Sequence, residues 1–123
     1  MTENIHAYPL AWPRQVPRSH NYERGTFDGT PGRIYGELLK AIDKLSLRQK
    51  SRTHTIRHAV VISSNARLNR DGSANANDLD RSGIDPGAAV YFPIDGVTTC
   101  IAIDRYDRIW KNLRAIQRTL EAF

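Results

Sequence analysis

Cysteine occurs once in these 123 residues, as Cys100, so no intramolecular disulfide can hold the fold. It lies in the run Val97-Thr98-Thr99-Cys100-Ile101-Ala102-Ile103, where a buried small hydrophobe is the expected role. Long hydrophobic runs are also missing. No segment approaches the ~20 apolar residues that a membrane-crossing helix needs. The opening Met1-Thr2-Glu3-Asn4-Ile5-His6 lacks the basic-then-apolar order of an export signal, so the expected compartment is the cytoplasm.

Catalytic and metal-binding grammar is equally scarce. His54 and His58 stand four apart, but in a run with strand character, which is not the helical pair of a zinc protease; His6 and His20 are isolated. Ser63 and Ser64 close a strand-like run without a nucleophile-elbow pattern, and no glycine-rich phosphate loop occurs. Nothing here specifies an enzyme, a cofactor or a metal. Asp71, Asp78, Asp80, Asp85 and Asp104 do gather in or beside one segment, and divalent cations favour such oxygen ligands. A metal-dependent nuclease using that Asp-rich loop is therefore one alternative. Ordinary turn formation by Asp and Asn is the simpler reading, since the alternating ligands and late glutamate of an EF-hand are absent.

What is present suits one globular domain with 40% hydrophobic and 25% charged residues. The net charge is +5 and unevenly placed. Residues 1–70 hold 12 Lys/Arg against 5 Asp/Glu, whereas residues 71–123 hold 6 against 8. A basic half of this kind raises the local concentration of polyanions and also aids solubility.

Residues 1–31 hold four of the six prolines, including Tyr8-Pro9-Leu10-Ala11-Trp12-Pro13 and Pro17. Proline fixes φ and pushes its predecessor into extended conformations, which predicts an extended aromatic arm. Residues 32–123 form the α+β domain proper. Thr30-Pro31 opens a first helix whose stripe is Ile34, Leu38, Ala41, Ile42 and Leu45, ending near residue 48. Ile56 to Ser64 is short, apolar and β-branched, predicting a central strand. Asn65 to Gly87 reads as a long loop. Two β-branched runs flank Asp95-Gly96, the strongest hairpin signal in the chain, with Pro93 placed near a strand end or edge. A last helix is expected from about Asp104, its N-cap, to Leu120, on a stripe of Ile109, Leu113, Ile116 and Leu120. Together these elements predict an α+β fold, with a small, mainly antiparallel three-stranded sheet packed on two helices.

The last helix carries Lys111, Arg114 and Arg118 at i, i+3, i+7, one sector set opposite the apolar stripe. The first carries Arg33, Lys40, Lys44 and Arg48, followed by Lys50 and Arg52. Two such rows can track phosphates if the helices lie side by side, although outer faces of amphipathic helices are charged anyway. The arm interleaves Tyr8, Trp12, Arg14, Arg18, Tyr22 and Arg24, a mixture able to stack bases and contact phosphates, or else to close a small core from outside. Arg67 and Arg70 in the long loop complete the candidate set. The leading expectation is a non-enzymatic module binding DNA, RNA or a nucleoprotein. A protein-interaction or assembly subunit whose Tyr8–Pro17 segment docks on a partner is the alternative.

Tyr8-Pro9-Leu10-Ala11-Trp12-Pro13, Val60-Val61-Ile62-Ser63-Ser64-Asn65, Arg70-Asp71-Gly72, Asp85-Pro86-Gly87-Ala88-Ala89-Val90-Tyr91-Phe92 and Asp104-Arg105-Tyr106 follow one another along most of the chain. In these motifs the sequence resembles a family of small, largely uncharacterised phage and mobile-element proteins, some joined to a J domain. The His-Pro-Asp tripeptide by which J domains stimulate their partner is missing here, so no cochaperone activity is implied. The resemblance implies a mobile-element setting and marks the Asp71-Gly72 and Asp85-Pro86-Gly87 turns as further candidates.

Overall fold

A computed structural model describes residues 5–48, 60–94 and 96–122, with the backbone alone for 46–48. The elements run α1 (Pro31–Arg48), β1 (Val61–Ser64), α2 (Ala76–Leu79), β2 (Ala88–Ile94), β3 (Val97–Ile103) and α3 (Ile109–Glu121). The fold is α+β, as the hydrophobic periods predict, with one antiparallel sheet in the order β1-β2-β3.

Alternation along the strands divides the sheet into two unlike faces. Ile62, Val90 and Ile101 share one level of the register, and Ala88 pairs with Ile103; with Phe92 they face the helices and join the main core. α3 packs directly on β2 and β3, while α1 packs on α3 and α2. Ile34, Leu38, Ile42 and Leu45 of α1 thereby meet Ile109, Leu113, Ile116 and Leu120 of α3 in one cluster. The other sheet face carries Ser63, Ala89, Tyr91 and Cys100, small or polar because it meets backbone. The arm lies there. Ala11 N–H donates to Ser63 Oγ at 2.7 Å, Leu10 N–H to Asn65 Oδ1 at 3.1 Å, and the Tyr91 hydroxyl to the Ala11 carbonyl at 2.5 Å. Ser64 N–H reaches the Ala7 carbonyl at 3.0 Å. Residues 7–11 are thus a third layer.

Four expectations are corrected. The first strand is an edge rather than the centre; β2 is central, with Ala89 and Val90 fully buried between the arm and helix layers. Residues 56–59 lie outside the described residues. The 65–87 segment contains α2, capped by Asn75, whose Oδ1 accepts from Asp78 N–H at 3.1 Å. α3 begins at Ile109 and not near Asp104, because Asp104 turns instead to Arg18 and Ser19. Asn112 fixes the loop before α3, accepting from Tyr106 N–H and donating to the Pro86 and Tyr106 carbonyls. Finally, Cys100 is half-exposed on the edge strand β3.

The hairpin closes as expected, with Ile94 opposite Val97 and Gly96 at φ 78°; Asp95 lies outside the described residues. Pro93 sits one residue from the end of β2, past the Ala88–Tyr91 stretch that β1 covers, so its missing N–H costs no β1 bond. Among the described residues, no helix is long and apolar enough to cross a membrane.

Candidate nucleic-acid interface

At 100° per residue, Arg33, Lys40 and Lys44 fall within a sector of about 40° on α1, pointing away from the Ile34, Leu38, Ile42 and Leu45 stripe. All three are exposed, and among the described residues none has an ion-pair partner. Arg14 and Arg70 are likewise exposed and unpaired within the described residues. The Arg48 side chain, Lys50 and Arg52 lie outside them.

The matching row on α3 is not a free row. Arg114 is only 8% exposed: α3 packs on both the sheet and α1, and Glu37 of α1 covers the Arg114 edge of that sector, while Arg118 stays exposed. The Arg114 guanidinium meets both Glu37 oxygens at 3.3 Å and Gln117 Oε1 at 2.8 Å, and its Nε is buried without a partner. Lys111 is half-buried, holding Asp107 Oδ1 at 2.9 Å and the Arg24 carbonyl at 2.7 Å. Arg118 is exposed but lies over the Phe27 ring at 5.4 Å.

The arm's aromatic and cationic residues are also engaged internally. Arg18 reaches Asp85 Oδ1 at 2.5 Å and Asp104 Oδ2 at 2.8 Å, and its guanidinium lies over the Trp12 ring at 4.6 Å. The bond to Asp85 most strongly raises the Arg18 pKa. Burial opposes ionisation of Asp104, but Arg18 and the Ser19 N–H and hydroxyl outweigh it and hold that carboxyl below its usual range. Trp12 Nε1–H donates to the Val16 carbonyl at 2.7 Å. Gly87 lies close beneath this cluster: a Cβ there would meet Leu10 at 2.9 Å and Arg18 at 3.1 Å. The Asp85-Pro86-Gly87 turn is therefore where the arm is fastened.

The remaining acids of the loop each have a local partner. Arg67 grips the buried Asp78 with Nε at 2.8 Å and NH2 at 3.1 Å, which lowers the Asp78 pKa to about 2. Asp80 accepts from Trp110 Nε1–H at 2.8 Å, and Asp71 from the Ser73 hydroxyl and N–H. Among the described residues, no three His, Cys, Asp or Glu side chains come together as metal ligands would.

Beside the α1 row lies a groove of about 290 Å³, lined by Pro31, Gly32, Tyr35, Gly36, Asn69 and Ser73, with Ala74, Ala76 and Leu79. Sequence reasoning passed over it. Its signal was Gly36, because a helix-interior glycine costs ~1 kcal/mol relative to alanine and calls for a reason. Beyond the helix's own backbone and the adjacent residues, nothing stands within 4 Å of a Cβ built on Gly32 or Gly36. Burial, with the nearby Asp71 charge, raises the Tyr35 pKa.

No family model, curated protein or solved structure matches this chain.

Proposed function

We propose that this chain is a non-enzymatic nucleic-acid-binding module of a phage or mobile element, acting in the cytoplasm and contacting phosphates through α1. One observation carries the reading: Arg33, Lys40 and Lys44 project from one helix face with no carboxylate partner among the described residues, whereas Arg18, Arg67, Lys111 and Arg114 are held in ion pairs. Unpaired cations keep their full charge for an external anion and release its counterions on contact. Arg14 and Arg70 supply further exposed charge. Trp12 and Arg18 support the interface only indirectly, by fastening the arm. The arm-docking alternative draws less support, because residues 7–18 spend their backbone and side-chain bonds on the sheet and on Asp85 and Asp104.

Fluorescence anisotropy with labelled single- and double-stranded DNA and RNA, between about 50 and 200 mM salt, tests this reading. Affinity is expected to fall steeply with salt, with the probes intact in the presence of Mg²⁺. Cleavage would transfer the function to the Asp-rich loop; no binding to any probe at low salt would end the proposal.

A further inference from the structure

We infer that the groove between the first turns of α1 and residues 69–79 receives one unpaired nucleobase of a strand whose phosphates run along Arg33, Lys40 and Lys44. The inference rests on the nucleic-acid reading above and adds to it a substrate class, single strands.

Placing α1 residues at 100° steps gives the order around the helix: Tyr35, Leu39, Gly32, Asp43, Gly36, then Lys40, Arg33 and Lys44, with Asp43 about two turns further along the axis than Gly36. The aromatic ring, the glycine floor and the cations are therefore consecutive strips of one surface. A nucleotide has the same sequence of parts, a flat ring, a sugar and a charged phosphate. Single-strand binders combine an aromatic face with a basic track in this way.

Size supports a single base. Sites for drug-sized ligands begin near ~300 Å³, so about 290 Å³ leaves room for a nucleobase. The polar rim is bonded within itself and so held in shape: Asn69 Nδ2–H donates to Ser73 Oγ at 3.1 Å and to the Ala74 carbonyl at 3.3 Å, and the Ser73 hydroxyl donates to Asp71. Charge sets the direction of entry. At the loop side the charge of Asp71, whose field reaches the Tyr35 hydroxyl, offsets that of the neighbouring exposed Arg70, whereas the α1 side offers three cations with no ion-pair partner among the described residues. A base inserted from the α1 side satisfies both conditions.

Filling the groove without disturbing the fold provides the test. Gly36→Leu builds into open space and replaces a poor helix former with a good one, so thermal stability should hold or rise. Binding would be measured with an oligonucleotide of about a dozen residues containing 2-aminopurine, alongside a blunt duplex. The expected result is 2-aminopurine quenching by the unaltered protein and its loss in Gly36→Leu, with about tenfold weaker single-strand affinity and unchanged duplex affinity. Tyr35→Leu, which removes the aromatic face and leaves the groove open, should reproduce the loss of quenching. Unchanged affinity and quenching in Gly36→Leu would overturn the groove assignment while leaving the nucleic-acid reading intact. If the unaltered protein binds no probe, both fall.

Discussion

Two helices of this protein each carry three cations within one narrow sector and use them differently. On α1, Arg33, Lys40 and Lys44 remain exposed and unpaired among the described residues; on α3, Lys111 and Arg114 are drawn into the structure and Arg118 lies on Phe27. The cause is location. α1 is the outer helix, buried along one stripe, whereas α3 is the middle one, with the sheet on one side and α1 on the other. Position in the layers, rather than charge pattern, decides which row faces solvent. Glu37 shows the same point from the opposite side: it stands next to the α1 cation sector, yet its carboxylate turns to Arg114.

The largest effect is expected at Arg114. Arg114→Ala removes a nine-tenths-buried guanidinium and leaves Glu37 and Gln117 without it, at an expected cost of ~3 kcal/mol. Arg33→Ala and Lys40→Ala should each stay within about 0.5 kcal/mol of the unaltered protein. Urea unfolding of the three variants gives the comparison directly. Combining Arg114→Ala with Glu37→Ala should cost less than the sum of the two single changes.

Glycine substitution sharpens the contrast at slightly smaller magnitude. Gly29 has φ 107°, and a Cβ there would collide with the Arg114 guanidinium, so Gly29→Ala should destabilise by ~2 kcal/mol. Gly36→Ala, on the open face of α1, should instead stabilise by up to ~1 kcal/mol. Thermal melts of opposite sign would separate the α3-facing side of this region from its solvent side; melts of the same sign would contradict the packing described.

The arm provides a third comparison. Arg18→Ala should cost ~1–2 kcal/mol, modest because its guanidinium is about one-third exposed, and should alter Trp12 fluorescence. Acid should act on this fastening through Asp104 and on the Arg67–Asp78 pair. Asp104 and Asp78 have lowered folded pKa values, so their stabilising contribution is fully present above the unfolded value near 4. It is lost as pH falls through the folded values, which for Asp78 means toward about 2. Stability measured by circular dichroism should therefore decline from about pH 4 downward. A flat profile over that range would remove both carboxylates from the account.

Much of this architecture was legible in the sequence, because periodicity reports which side chains are apolar. The α1 stripe, the hairpin about Asp95-Gly96 and the α3 stripe all follow from spacing alone. What spacing does not report is which layer an element joins. Arg114 reads as outward-facing on a helical wheel and is buried, since a second helix covers that side. Asp104 reads as a cap, yet its partner Arg18 lies 86 residues away in the chain. α2 was hidden because four residues are too few to show a period, although the Asn75 cap and Asp78 were there to read. The groove is likewise a tertiary feature, formed by α1 and a loop far from it in sequence.

The central claim is that α1, and not α3, presents the phosphate-binding cations. Its most direct test compares the salt dependence of single-strand binding between the unaltered protein and the triple variant Arg33→Ala, Lys40→Ala, Lys44→Ala. The slope of log affinity against log salt should become shallower by about two, since each phosphate contact on a single strand contributes ~0.7. An unchanged slope in a folded triple variant would contradict the account and move the interface off α1.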